Sequence, residues 1–250
     1  MSTHNNPLSA RNSPLLCYVT DRLTLPIANP VDSLAALTQK IEEVMAAGID
    51  WVQIREKDLP TRELASLTRQ VLATARKYSA KRSSVIRVLV NDRLDVAIAE
   101  RADGVHLGEK SLPVAQAKRL IASAVQTQSV DGTFLVGVST HSIEAAQAAE
   151  RDGADYIFFG PIFATPSKEP FGPPQGLERL VQLCRGVKVP VLAIGGIALD
   201  NIESCVAAGV AGMAAIRLFQ DAPPIGPMQR LRKLLNYRHP RLPEDRKRWE

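Results

Sequence analysis

A single-domain (β/α)8 TIM barrel, of class α/β, is the fold this sequence predicts, and three observations predict it. Apolar strand-like runs alternate with segments of helical period eight times at nearly constant spacing. The length of 250 residues is the usual size of that fold. The first strand-like run, LLCYVTD, is not followed by a glycine-rich fingerprint, which argues against a doubly wound open sheet. The chain divides into an N-terminal segment, residues 1–14, expected to be disordered, a barrel over 15–237 and a basic tail over 238–250.

The pattern is clearest in Val85 to Glu109, VIRVLVNDRLDVAIAERADGVHLGE. VIRVLV runs into Asn91-Asp92 and DGVHLG runs into Glu109, with a short helix between them, so polar residues collect at strand C-terminal ends. In chain order, Leu15 to Asp21 is the first strand. Ser33 to Gly48 is a helix carrying Leu34, Leu37, Ile41, Val44 and Met45 at helical spacing and stopping at a glycine. WVQIREK is the second strand, with Gln53, Arg55 and Lys57 on one face by its period of two. Thr61 to Ala80 is the second helix, and Pro113 to Ser123 the fourth. FLVGVST is strand five, followed by an Ala-rich helix from Ser142 to Arg151, and DYIFFGP is strand six. Ile162 to Gln175, with four prolines and Lys168, is a loop long enough to be functional. Leu177 to Cys184 is helix six and VPVLAIGGI strand seven. Asn201 to Gly209 is helix seven, with Asp200 placed to cap it. GMAAIRLFQ is strand eight, and Met228 to Tyr237 the last helix.

Composition narrows the function classes. A hydrophobic content of 45% and a charged content of 23% suit a globular protein with a sizeable core. The net charge of +5 has no basic block interleaved with aromatics, so nucleic acid is not an expected partner. Cys17, Cys184 and Cys205 have no CxxC spacing and read as reduced thiols, not as a zinc site or disulfide framework. No run approaches the ~18 apolar residues of a membrane span, and the first residues lack a signal-peptide core. A soluble, cytoplasmic protein with no membrane partner is the expectation.

Chemistry in such a barrel sits at the C-terminal strand ends, with phosphate often held after strands seven and eight. Gly195-Gly196 is either a tight turn or a close backbone approach to phosphate. Arg217 at the end of strand eight is a surface arginine or a phosphate clamp. Gln53, Arg55 and Lys57 would be costly in a core unless they face an anionic ligand. Asp92 is either a helix cap or half of a magnesium-diphosphate site, since Mg²⁺ is usually held by one or two carboxylates plus phosphate oxygens. Lys168 could close over that phosphate. His106 reads as a core histidine, and His141 faces the mouth, where it could transfer a proton.

YVTD, VQIREKD, VNDRLDVA, ADGVHLG, GVSTH, GPIFATPSK and AIGGI, in this order, resemble thiamine phosphate synthase and its sister, the thiazole tautomerase; the match runs from about Leu15 to Gln220. The resemblance implies a transferase of thiamine biosynthesis, joining hydroxymethylpyrimidine diphosphate to (carboxy)thiazole phosphate with release of diphosphate. It implies that Gln53, Arg55, Lys57, Asn91 and Lys168 bind the pyrimidine diphosphate and that Asp92 binds Mg²⁺. Ser139 would contact the pyrimidine, and Thr165, Ser167, Gly196 and Ile216 would line the thiazole phosphate site. Arg55, Lys57, Lys168 and His141 are the candidate catalytic groups. Barrels of this type often pair, so a homodimer is a candidate assembly. The pattern departs at two places. A second metal aspartate, in a motif like HLGxxD, is here Ser111, with Glu109 two residues earlier, and a serine after strand eight is here Arg217. The metal-free tautomerase tolerates the first loss, and its proton-transferring histidine matches His141; retention of the diphosphate residues favours the synthase. A phosphate-ligand-binding barrel without turnover is the remaining alternative.

Overall fold

The computed structural model describes residues 13–26, 29, 32–82, 84–127, 133–165, 173–221 and 225–236. Eight parallel strands close into one barrel in sequence order, β1-β2-β3-β4-β5-β6-β7-β8, with β1 paired to β8. The strands are β1 Leu15–Val19, β2 Trp51–Ile54, β3 Arg87–Asn91, β4 Gly104–Leu107, β5 Leu135–Thr140, β6 Tyr156–Phe159, β7 Val191–Ile194 and β8 Gly212–Ala215. Around them run α1 Ser33–Ala47, α2 Thr61–Ser79, α3 Leu94–Ala99, α4 Val114–Gln126, α5 Ile143–Arg151, α6 Gly176–Gly186, α7 Ile202–Ala207, α8 Arg217–Gln220 and α9 Ile225–Asn236. The single-barrel reading therefore holds. Residues 1–12 and 237–250, which take in nearly all of the expected N-terminal segment and the whole basic tail, lie outside the described residues.

The core has two layers, set by the strand period of two. Leu16, Tyr18, Val52, Ile54, Val88 and Val90 point outward and pack under the helices, whose buried stripes include Leu37, Ile41, Val44 and Met45 of α1. Leu15, Cys17, Val19, Trp51, Leu89, Leu135, Tyr156, Phe158, Leu192 and Ala214 point inward and fill the barrel. Tyr156 lies against Trp51, ring centroids 4.9 Å apart, and the ring takes the space a side chain at position 137 would occupy: a Cβ on Gly137 would lie 1.9 Å from its Cζ.

The floor of the barrel carries a recurring clasp. Asp50, Asp103 and Asp155, each just before an even-numbered strand, accept a backbone N–H of the preceding strand on a carboxylate oxygen: Leu16 at 2.9 Å, Val88 at 2.7 Å and Val136 at 2.6 Å. Each returns its own N–H to the same residue's carbonyl, at 3.2, 2.9 and 2.8 Å. Position 211, the equivalent residue before β8, is alanine and keeps only a backbone bond, to the Val191 carbonyl at 2.8 Å. Arg232 of α9 adds its guanidinium to Asp50 at 2.6 Å, which ties the last described helix to the floor.

Three sequence expectations are corrected. The second strand ends at Ile54, not Lys57, because the Thr20 hydroxyl accepts the Arg55 N–H at 2.9 Å and takes over from the ladder. The predicted eighth strand ends at Ala215, and Arg217–Gln220 is a helical turn. The turn wins because it buries Phe219 against Tyr18, ring centroids 5.8 Å apart, and lets Gln220 donate to Tyr18 Oη and the Asp21 carbonyl. The residue at the head of α7 is Asn201, not Asp200; its side chain bridges the loop by accepting from Ala198 N and donating to the Gly196 carbonyl. Cys17 and Cys205 are buried and Cys184 is partly buried, and none of the three is in a disulfide.

Gly137→Ala forces the Tyr156 ring or β5 to shift. A loss of about 1–3 kcal/mol or more in folding stability is expected, read as a lowered urea midpoint.

Candidate active site

The strand C-terminal ends converge on one mouth, and the polar residues there are held in three connected groups. The first links β2, β3 and the loop after β4. Gln53 is 2% exposed, and its amide donates to Asn91 Oδ1 at 2.8 Å; Asn91 in turn donates to Asp92 Oδ2 at 2.8 Å. Asp92 sits at φ 61, outside the usual range for a residue with a side chain, and this turns its carboxylate back across the mouth. There Asp92 Oδ1 accepts from Gly108 N at 2.9 Å and from the Ser111 hydroxyl. The helix-cap reading of Asp92 is thereby excluded: Arg93 occupies the cap position of α3, and no side chain caps it. Ser111 meets the Asp92 carboxylate, so the position where the family pattern carries a second aspartate faces the first. Glu109 is exposed.

The second group anchors Arg55. Its guanidinium is 3.2 Å from Asp21, and its backbone N–H is fixed by Thr20. Thr20 donates at 2.6 Å to Glu56, a carboxylate only 5% exposed, which also accepts from Arg22 N and from Arg22 Nη1 at 3.1 Å. Burial raises the Glu56 pKa, and its hydrogen bonds from Thr20 and Arg22 oppose that rise. Arg22 continues to Asp58 with two bonds of 2.6 Å, holding the Asp58 carboxyl below the usual range. The strand period placed Arg55 and Lys57 side by side on the Gln53 face. With the strand ending at Ile54 they part, Arg55 half-buried beside Asp21 and Lys57 exposed in the following turn. Lys57, Glu56, Asn91, Asp92 and Arg93 border a cavity of ≈ 220 Å³ between the two strand ends.

The third group crosses the barrel interior. His106, 1% exposed, has Nδ1 3.0 Å from Tyr156 Oη and Nε2 2.9 Å from Ser139 Oγ. Burial pushes its pKa down to about 3, so the ring is neutral. The expected core histidine is therefore the middle link of a polar chain that starts at Tyr156 and surfaces at half-buried Ser139. Beyond it, His141 Nδ1 hydrogen-bonds the Gly160 carbonyl, which can only accept.

On the opposite rim, Gly195 and Gly196 have φ of 90° and 66°. A Cβ on Gly195 would lie 2.5 Å from Pro161, and one on Gly196 2.7 Å from Phe163. Both glycines are thus required by the turn and by its contact with the loop after β6, which is the plainer of the two expectations for the pair. Thr165 and Ile216 are half-buried on this rim, and Arg217 is exposed as the first residue of α8, so it does not project from a strand end as expected. Ser167 and Lys168 lie outside the described residues. Among the described residues no group of three or more His, Cys, Asp or Glu is gathered as a metal site, and no helix is long and apolar enough to cross a membrane.

Residues 24–219 match the family model for thiamine monophosphate synthase. The chain belongs to the thiamine monophosphate synthase family. A thiamine-phosphate synthase of Roseiflexus castenholzii is 36% identical over 223 residues, 89% of this chain and 88% of that one. One from Methanoculleus marisnigri is 42% identical over 171 residues, covering 68% and 74%. The solved thiamine phosphate pyrophosphorylase of Pyrococcus furiosus superposes with a TM-score of 0.72 at 31% identity, over 88% of this chain and 95% of that one. Within this family member, the reading of isolated strand ends missed Thr20, Arg22 and Glu56. YVTD and REKD carry Thr20 and Glu56, but their partnership is a contact between neighbouring strands, 36 residues apart.

Glu56→Gln replaces two acceptor oxygens by one and sets an amide against the donors of Arg22 and Thr20. A destabilisation of about 1–3 kcal/mol is expected by urea denaturation.

Proposed function

We propose that this chain is an alkyl transferase of thiamine biosynthesis, working in the cytoplasm. It condenses hydroxymethylpyrimidine diphosphate with (carboxy)thiazole phosphate to give thiamine phosphate and diphosphate. The observation that carries the reading is the cavity between the adjacent ends of β2 and β3, where Lys57 and the carboxylate of Asp92, braced through Asn91 by Gln53, share one lining and Arg55 follows directly on the end of β2. Cations beside one oriented carboxylate suit a leaving diphosphate and its counter-ion.

In this reading Gln53 and Asn91 orient the pyrimidine diphosphate, and Arg55, Lys57 and Lys168 take up the charge that grows on the diphosphate as its bond to the pyrimidine methylene breaks. Ser139 contacts the pyrimidine. Thr165, Ser167, Gly196, Ile216 and Arg217 hold the thiazole phosphate so that its ring nitrogen faces the carbon being released. No side-chain nucleophile is required; positioning and electrostatic stabilisation carry the rate. The donors fit Mg²⁺ as a site with one carboxylate: Asp92 would hold the ion with the Ser111 hydroxyl beside it, and phosphate oxygens and water would complete the shell. The bound ion would add positive charge at the departing diphosphate.

One observation favours a second reading, aromatisation of the thiazole phosphate. The Gly160 carbonyl can only accept, so it holds a proton on His141 Nδ1 and leaves Nε2 as the ring nitrogen available for proton transfer.

Purified protein given both substrates should release diphosphate and form thiamine phosphate with Mg²⁺, and lose this on chelation. Arg55→Ala or Lys168→Ala should cost roughly 10²-fold or more in turnover, and His141→Ala little. No thiamine phosphate, together with proton exchange on the thiazole phosphate that persists in chelator and vanishes in His141→Ala, would assign the tautomerase instead.

A further inference from the structure

We propose that His106 is a positioning residue: Tyr156 fixes its ring as the Nε2–H tautomer, and this obliges Ser139 to present its hydroxyl proton to an acceptor on the ligand at the mouth. The inference rests on the reading of Ser139 as a substrate contact and adds the direction of that contact.

Hydrogen-bond bookkeeping decides the tautomer. Tyr156 is 0% exposed, and among the described residues its hydroxyl has one hydrogen-bond partner, His106 Nδ1 at 3.0 Å. A buried hydroxyl whose proton has nowhere to go is costly. Tyr156 therefore donates, Nδ1 accepts with its lone pair, and the ring proton of the neutral imidazole resides on Nε2. Nε2–H then donates to Ser139 Oγ at 2.9 Å. Ser139 has accepted within the protein, and no other described group takes its proton; its donor direction is left for the half-open mouth. With the opposite tautomer Ser139 would spend its proton on Nε2 and could only accept from a ligand.

The packing keeps the ring from turning over. Phe158 lies 4.1 Å from the His106 ring and Tyr156 5.6 Å, centroid to centroid. Tyr156 is itself held against Trp51, its ring filling the space left by Gly137. A ring flip would put carbons where both nitrogens now bond. The relay therefore sets a polarity before any ligand arrives, and it selects a ring carrying a hydrogen-bond acceptor, such as a pyrimidine nitrogen, over one offering a donor at that place.

The test uses the full ligand-free chain labelled with ¹⁵N-histidine. Long-range ¹H–¹⁵N spectra at neutral pH should show the His106 ring, identified by the signals lost in His106→Gln, with Nε2 protonated and Nδ1 bare. An Nδ1–H tautomer or an imidazolium overturns the proposal. Kinetics supply a second readout. His106→Leu should raise KM for the pyrimidine diphosphate about 3- to 10-fold with kcat less affected. His106→Gln, whose amide can again donate to Ser139, should recover most of it, and equal KM values for the two variants overturn the proposal. If wild-type protein makes no thiamine phosphate, the synthase reading fails on its own, while the tautomer remains decided by the spectra.

Discussion

A closed eight-stranded barrel has an interior without room for bulk water, and every second residue of every strand points into it. All else in this molecule follows from that constraint. Apolar side chains fill the lower part, from Leu15 to Leu192, and polar side chains are admitted only near the mouth and only when bonded. Tyr156 illustrates the terms: its ring needs the missing side chain of Gly137, and its hydroxyl needs His106. The same rule makes the floor clasps intelligible. Asp50, Asp103 and Asp155 satisfy strand-start N–H groups at the end of the barrel where no chemistry occurs, which leaves the opposite end free to vary.

At the mouth, side chains that sequence offers as separate ligands arrive already bonded to one another. Gln53 holds Asn91, Asn91 holds Asp92, and Asp92 holds the loop after β4 through Gly108 and Ser111. Thr20 and Glu56 fix the backbone at Arg55, while Asp21 receives its guanidinium. Such bracing lowers the ordering cost at the moment of binding, because rotamers that contact the ligand are chosen beforehand. Three buried side-chain oxygens have no partner among the described residues, Gln53 Oε1, Thr140 Oγ1 and Gln175 Oε1, and the first belongs to this chain of bonds, its amide nitrogen being paired. An unpaired buried acceptor beside the mouth is the kind of cost a bound donor removes.

Alternation of apolar runs and helical periods made the barrel, its order and most element positions legible, since those patterns are local. Strand ends were less so. The extent of WVQIREK and of GMAAIRLFQ is decided by contacts from other strands, the Thr20 hydroxyl in one case and the Tyr18 and Asp21 partners of Gln220 in the other. Neither contact has a local signature. The same limit applied to the candidate site: Gln53, Asn91 and Asp92 were legible as strand-end polar residues and are found linked. The positive φ that turns Asp92 toward Ser111 depends on the β4 backbone, which receives the Asp92 N–H at the His106 carbonyl. Arg217 misled because an arginine after an apolar run reads alike at a strand end and at the start of a helical turn.

At position 111 it is a serine, an uncharged donor, that faces Asp92 across the mouth. Two carboxylates facing each other repel and need a cation between them even before substrate binds. Here the Ser111 hydroxyl donates to Asp92, which satisfies one carboxylate oxygen and leaves a single negative charge at that place. In the proposed reading a cation entering this site would displace that bond and meet one carboxylate, so more of its coordination would come from diphosphate oxygens. Arg55 stands in the mirror situation, with Asp21 as its resident counter-charge until an anion competes for the guanidinium. In the proposed reading a diphosphate carrying its own cation would engage both sides at once. On that reading metal and diphosphate are expected to bind better together than either does alone.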